Sequence, residues 1–217
     1  HDVALQDVSV LFAIDRAGVV GADGPTHIGA FDLSFLRCIP NLIVMTPSDE
    51  NECYQMLYTG FRLNQASAVR YPRGAGIGVD IDKTLQRLPF GKGRILRKGI
   101  KIAFLAFGSM VHSALEAAHE IDATLCDMRF VKPLDVALIQ QICNEHEYIV
   151  TIEENVIMGG AGSACLEAMQ LLNLSNPVLQ LGIPDEFTEH GDPKLLLCAM
   201  GLDKNGILQA LKNKNWL

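Results

Sequence analysis

A chain of 217 residues, 49% apolar and 20% charged, has enough material to bury a sizeable core, as one large α/β domain or two small ones. No stretch approaches the roughly 18 uninterrupted apolar residues of a membrane span. A net charge of −7 without any Lys/Arg cluster argues against a nucleic-acid surface. Six scattered cysteines (Cys38, Cys53, Cys126, Cys143, Cys165, Cys198) include no C-x-x-C pair, so they read as reduced, buried thiols of a cytosolic protein, not as disulfides or a zinc site.

The opening "HDVALQDVSV" resembles neither a signal peptide nor a clean domain start, and reads as the end of a helix running into a strand, as in a fragment cut inside a domain. Thereafter short runs rich in Val, Ile and Phe alternate with stretches of helical period, the pattern of parallel sheets covered by helices on both faces. The first half predicts strand "VLFAID", a long glycine-rich loop "DRAGVVGADGPTHIGAFD", a helix near "FDLSFLRCI", strand "LIVMT", helix "SDENECYQMLYTGFRL" with Ser48 as its cap, and strand "SAVRY". Residues 72–98 hold many glycines, two prolines and mixed charge without a sustained period, and read as a linker.

Beyond the linker the alternation resumes: strand "KIAFLAFG", helix "SMVHSALEAAHEI", strand "ATLCDMRF", helix "LDVALIQQICNE", strand "YIVTIEE", helix "GSACLEAMQLL" and strand "PVLQLGIP", closed by helices "DPKLLLCAM" and "KNGILQALKNKNW". The expectation is two α/β domains, each with a mostly parallel sheet, over residues 1–91 and 92–217.

Of the candidate sites, "GAGIG" at residues 74–78 precedes no helix on which a phosphate would sit and reads as linker. "MGGAGSACLEAM" follows a strand and opens a helix, but no acidic residue ends the next strand, so it reads as a tight turn needing glycine for close packing. Glu153 and Glu154 end a strand where active-site carboxylates often sit, yet the plainer reading packs one on the next loop and leaves the other solvated. His112, His119 and His146 show no ligand spacing and are read as exposed or partly buried.

The opening loop survives this comparison. It lies past the carboxyl end of a predicted strand, where parallel sheets bind ligands, and brings Arg16, Asp23 and His27 together with glycines that let a substrate approach the backbone. Arg73 follows another strand of the same half. Parallel strand ends share one edge, so Arg16 and Arg73 converge on an anion, jointly pointing to a phosphate; for each arginine alone, pairing with a nearby Asp is an equal alternative.

The stretch "DRAGVVGADGPTHIGAFD", with "LRCIPNLIVMTPSDENE", "SAVRYPRG", "DMRFVKPLD" and "EENVIMGGAGSA", resembles the 1-deoxy-D-xylulose-5-phosphate synthases, a transketolase-like family dependent on thiamine diphosphate; "DGPTH" is shared with transketolases at large. The resemblance runs over essentially the whole chain. It implies the latter part of a pyrimidine-binding domain plus linker over residues 1–91 and a transketolase C-terminal domain over 92–217. It further implies a cytoplasmic homodimer that decarboxylates pyruvate and transfers the two-carbon unit to glyceraldehyde 3-phosphate, for isoprenoid, thiamine and pyridoxal synthesis.

On that resemblance Arg16 and Arg73 bind the acceptor phosphate, Asp23 contacts its hydroxyl, and His27 stands at the reacting carbons. The family's Gly-Asp-Gly motif for diphosphate and Mg2+ is missing from this chain, as are its cofactor-activating glutamate and ring-stacking aromatic. The chain alone is therefore expected to be inactive and to bind thiamine diphosphate and Mg2+ weakly at most. Two other readings stay open: a fragment of transketolase or of a 2-oxo-acid dehydrogenase β-type subunit, which "VRYPRG" and "DMRFVKPLD" disfavour, and a non-catalytic assembly module.

Overall fold

The computed structural model describes residues 1–217, and it contains two sheets. The first half runs α1 (Asp2–Leu5), β1 (Leu11–Ile14), a 3-10 turn (Gly21–Thr26), α2 (Asp32–Arg37), β2 (Ile43–Met45), α3 (Glu50–Phe61) and β3 (Ser67–Arg70). The second runs β4 (Arg94–Arg97), β5 (Ile102–Ala106), α4 (Met110–Ile121), β6 (Thr124–Asp127), β7 (Phe130–Lys132), α5 (Val136–Glu145), β8 (Tyr148–Val156), α6 (Ala161–Leu171), β9 (Val178–Ile183), α7 (Pro193–Ala199) and α8 (Lys204–Asn213). The strand orders are β1-β3-β2-β7 and β4-β6-β5-β8-β9. Both are mostly parallel, with β2·β7 and β4·β6 the antiparallel pairs.

The fold class matches the expectation; four local readings do not. "ATLCDMRF" is two strands, because Arg129 takes a left-handed backbone (φ 58°) that turns the chain out of the second sheet. Phe130 then lands fully buried beside Met45 and Val69, so β7 becomes an edge strand of the first sheet. The stretch read as linker ends in a true strand, β4, whose short run "RILR" is masked in sequence by the glycines before it. The cap of α3 is Asp49, whose carboxylate accepts from Glu52 N at 2.8 Å, while Ser48 donates instead to Asp127 at 3.1 Å. His146 is buried, spanning the Ile142 carbonyl (2.9 Å) and Thr124 Oγ1 (2.7 Å).

The continuous apolar runs make sense once both faces of the second sheet are seen to be covered. Along β5, Ile102, Phe104 and Ala106 face the core under α4 and α8, whereas Ala103, Leu105 and Phe107 face α5 and α6. That second core also takes Leu33, Leu42, Val44 and Ala66, so the two halves share apolar packing. A four-charge cluster reinforces the junction: Arg129 holds Glu52 through two bonds of 2.7 and 2.8 Å, and Arg94 bridges Glu52 (3.1 Å) and Asp127 (3.0 Å). Burial pushes the Asp127 carboxyl above its ordinary range despite these guanidiniums.

The thiols are all free, as expected, but Cys38 and Cys198 are exposed and Cys53 is half-buried, while only Cys126, Cys143 and Cys165 are buried. Each of those exposed thiols occupies a short helix or helix end at the surface, where helical context in sequence does not distinguish inner from outer face. No helix is long and apolar enough to cross a membrane.

Candidate functional site

β1 and β3 are adjacent and parallel, in register Ile14 to Arg70, so the loops leaving them emerge side by side. Residues 15–31 follow β1 and residues 71–79 follow β3. The first loop is folded back on itself: Gly18 N donates to Gly29 O at 2.8 Å, Gly29 N to Gly18 O at 3.1 Å, and Ala17 N to Tyr71 O at 2.9 Å. Gly29 lies against the Arg16 backbone with no room for a Cβ, and Gly24 has φ 66° and ψ −160°, a conformation available only to glycine. Those two positions explain two of the four glycines of the motif.

At the mouth of this arrangement Asp23 accepts an ion pair from Arg73 Nη1 and, at 3.5 Å, from Arg16 Nε; Arg16 also pairs with its neighbour Asp15. Arg16 and Arg73 do converge on one anion, and that anion is the Asp23 carboxylate. The Arg73 hydrogen bond foremost, with Arg16 behind it, holds the Asp23 carboxyl below the usual carboxylate range. His27 stands exposed at the end of the 3-10 turn, its Nδ1 hydrogen-bonded with Thr26 Oγ1 at 2.8 Å. Two cations and one acid thus meet at a solvent-facing rim, and the imidazole lies four residues farther along the same loop without contacting them.

Behind the rim is a buried clamp centred on Arg70, which sequence reasoning missed. Its Nε donates to Asp32 at 2.6 Å, and its Nη2 donates to Gly29 O and, at 2.8 Å, to Glu154 O. Arg70 is 5% exposed and Asp32 6%, so the clamp works in a low dielectric. Its only signal in sequence was a charge ending the otherwise apolar strand "SAVR".

Glu153 and Glu154 depart from the expectation that one of them is solvated, for they are 2% and 6% exposed inside β8. Glu154 accepts from Val19 N at 2.7 Å and from Ser109 Oγ, tying the site loop to the start of α4; burial raises its carboxyl. Glu153 accepts from Ala161 N and Gly162 N, both at 2.7 Å, and so occupies the N-terminus of α6; burial pushes it up to about 7. The "MGGAGSA" turn is therefore filled by the protein's own carboxylate, in keeping with its reading as a packing turn.

The second half also touches the loop directly. Gly191 N donates to Gly21 O at 3.2 Å, and a Cβ on Gly21 would meet Pro193 Cγ at 3.0 Å. As for a cofactor, no group of three or more His, Cys, Asp or Glu side chains is placed to hold a metal ion. The acidic rim offers one carboxylate already engaged by two guanidiniums, which does not fit a diphosphate–magnesium group.

This two-sheet α/β fold is that of transketolase-type proteins, as comparison with known families shows. The transketolase pyrimidine-binding domain matches residues 1–77, and the transketolase C-terminal domain matches residues 91–207. The chain belongs to the transketolase family. Within it, the chain is 61% identical over 214 residues to the 1-deoxy-D-xylulose-5-phosphate synthase of Chromobacterium violaceum, covering 99% of this chain and 35% of that protein. The synthase of Nitrosomonas europaea is 60% identical with the same coverage. The chain thus spans about a third of the length of the curated relatives it matches.

Among solved structures, a split-gene transketolase described as an inactive β4 tetramer superposes with TM-score 0.83 at 28% identity, over 94% of this chain and 66% of that one. Transketolase from Campylobacter jejuni shares the fold, with TM-score 0.72 at 21% identity over 97% of this chain and 32% of its own.

Proposed function

We propose that this chain supplies the acceptor-binding part of a 1-deoxy-D-xylulose-5-phosphate synthase, with residues 1–91 the latter part of the pyrimidine-binding domain plus linker and 92–217 the C-terminal domain. The observation that carries the reading is the meeting of Arg16 and Arg73, from two parallel strand ends, at one point on an exposed rim. About 60% identity to relatives named as synthases, against 28% to a transketolase, supports the synthase over the transketolase reading.

The reaction joins pyruvate to glyceraldehyde 3-phosphate with loss of carbon dioxide, giving 1-deoxy-D-xylulose 5-phosphate for isoprenoid, thiamine and pyridoxal synthesis. Thiamine diphosphate with Mg2+ supplies the carbanion chemistry, and this chain lacks residues to hold its charged end. What the chain's own residues contribute is capture and orientation. The acceptor phosphate draws Arg16 and Arg73 from Asp23 through forked, charge-assisted bonds. Asp23, still close by, takes a hydrogen bond from an acceptor hydroxyl, and His27 exchanges a proton with the oxygen of the reacting aldehyde. The deciding experiment is Arg73→Ala in the complete enzyme: KM rises for glyceraldehyde 3-phosphate far more than for a non-phosphorylated aldehyde. An equal loss with both acceptors contradicts the reading.

We further infer a cytoplasmic location and a homodimeric enzyme. The isolated chain is expected to bind thiamine diphosphate with Mg2+ at most weakly, since desolvating so charged a ligand is not offset without its ligands; micromolar binding by calorimetry would overturn that.

A further inference from the structure

The segment between β3 and β4 has no regular structure until β4, yet its backbone is not free. Side chains along one face of α3 satisfy it in order. Glu50 accepts from Gly78 N at 2.7 Å, Asn51 accepts from Asp82 N at 3.0 Å, Gln55 accepts from Gln86 N at 2.6 Å, and Thr59 Oγ1 accepts from Leu88 N at 2.9 Å. Residues 51, 55 and 59 recur every four residues, so they form a single rail on which the strap is laid.

The first anchor differs from the rest. The Glu50 carboxylate accepts from Gly78 N, a bond that foremost holds it below the ordinary glutamate range, while its Oε2 is buried without a hydrogen-bond partner. Gly76 packs against that carboxyl so closely that no Cβ fits, and Gly78 takes φ 89°, so the glycines of "GAGIG" let the chain pass close over one carboxylate. Glu50 is not needed as a helix cap, because Asp49 already fills that position on α3. Arg73 stands between two fixed points, the end of β3 at Arg70 and Gly78 on Glu50. Its guanidinium hydrogen-bonds with Asp23 alone, and the adjoining Gly74 has nothing within 4 Å of where a side chain would start.

We propose that Glu50 is a positioning residue for the acceptor phosphate: by holding Gly78 N and packing against Gly76 it fixes the turn that aims Arg73 at the rim. The inference rests on the phosphate reading of Arg73 given above. It accounts for the glycines of a segment that reads as a linker and for a carboxylate held by the Gly78 amide some distance from the rim.

The test compares Glu50→Ala, Glu50→Gln and Arg73→Ala in the complete enzyme with glyceraldehyde 3-phosphate and with non-phosphorylated glyceraldehyde. Glu50→Ala should raise KM for the phosphorylated acceptor about tenfold while kcat and the KM for pyruvate stay within about twofold, since a correctly placed charge is lost but not removed. Glu50→Gln, which keeps one acceptor oxygen, should fall between. Hydrogen exchange of the peptide covering residues 77–79 should quicken in Glu50→Ala. If Arg73→Ala is selective for the phosphorylated acceptor but neither Glu50 variant is, the positioning role is overturned and the phosphate site stands. Should Arg73→Ala show no selectivity, the phosphate site itself falls, and this inference with it. Unchanged exchange at residues 77–79 also refutes the role, and if Glu50→Ala does not fold, Glu50→Gln carries the same comparison.

Discussion

Arg70 and Asp32 form a buried ion pair, Nε to carboxylate at 2.6 Å, that joins the end of β3 to the first turn of α2 and holds the loop between β1 and α2 from behind. The same guanidinium takes the carbonyls of Gly29 and Glu154, so three segments separated in sequence depend on one side chain. Removing it leaves the buried Asp32 carboxylate without its cation and strips a donor from the Glu154 carbonyl, while Gly29 O keeps its bond from Gly18 N. Arg70→Ala is therefore expected to lower stability by about 3–5 kcal/mol, read by denaturant unfolding. Arg70→Lys should recover only part, because a single ammonium cannot meet the fork of acceptors. A loss under ~1 kcal/mol for Arg70→Ala would show the clamp to be dispensable.

At the rim the roles should separate kinetically in the complete enzyme. Loss of Arg16 or Arg73 is expected to raise KM for glyceraldehyde 3-phosphate by roughly 30- to 150-fold, the equivalent of about 2–3 kcal/mol of charge-assisted bonding, with pyruvate little affected. His27→Ala and Asp23→Asn should instead lower turnover at saturating acceptor, His27→Ala by about 10²–10⁴-fold if it transfers the proton. Steady-state kinetics showing a pure KM effect for His27→Ala would remove it from the chemistry.

Glu153 sets a pH dependence with a definite sign. Its carboxyl rises from an ordinary 4.5 to about 7 in the fold, so between those values the folded state binds the extra proton. Its contribution is complete below about pH 4.5 and is lost as pH climbs through 7, worth about 3 kcal/mol in full. Glu153→Gln, neutral throughout, should flatten the stability curve between pH 5 and roughly 8 relative to the parent. Parallel curves for the two proteins would refute the assignment.

The first sheet predicts association. β1 is its outer strand, with Phe12 39% exposed and Leu5 (74%) and Val8 (44%) just before it, an apolar edge that nothing in the chain covers. The isolated chain should sediment as a dimer or larger species at high concentration. A monomer throughout, by analytical ultracentrifugation, counts against this.

Much of this was legible in the chain. Period and length placed every helix from α3 onward and nearly every strand, because continuous apolar runs such as "IAFLA" can only be buried on both faces. The glycines and charges of residues 15–32 marked the rim, since Gly24 takes a backbone geometry closed to other residues and Gly29 lies where no Cβ fits. What tertiary structure alone decided are the partners of charges. Arg129 turns β7 into the other sheet, Asp23 rather than Asp15 receives Arg73, Arg70 rather than a surface residue braces the loop, and both Glu153 and Glu154 go inside. Hydrophobic period is a local property that repeats along the chain, whereas the partners of Arg70 and Glu154 lie 38 to 135 positions away, which no local pattern encodes.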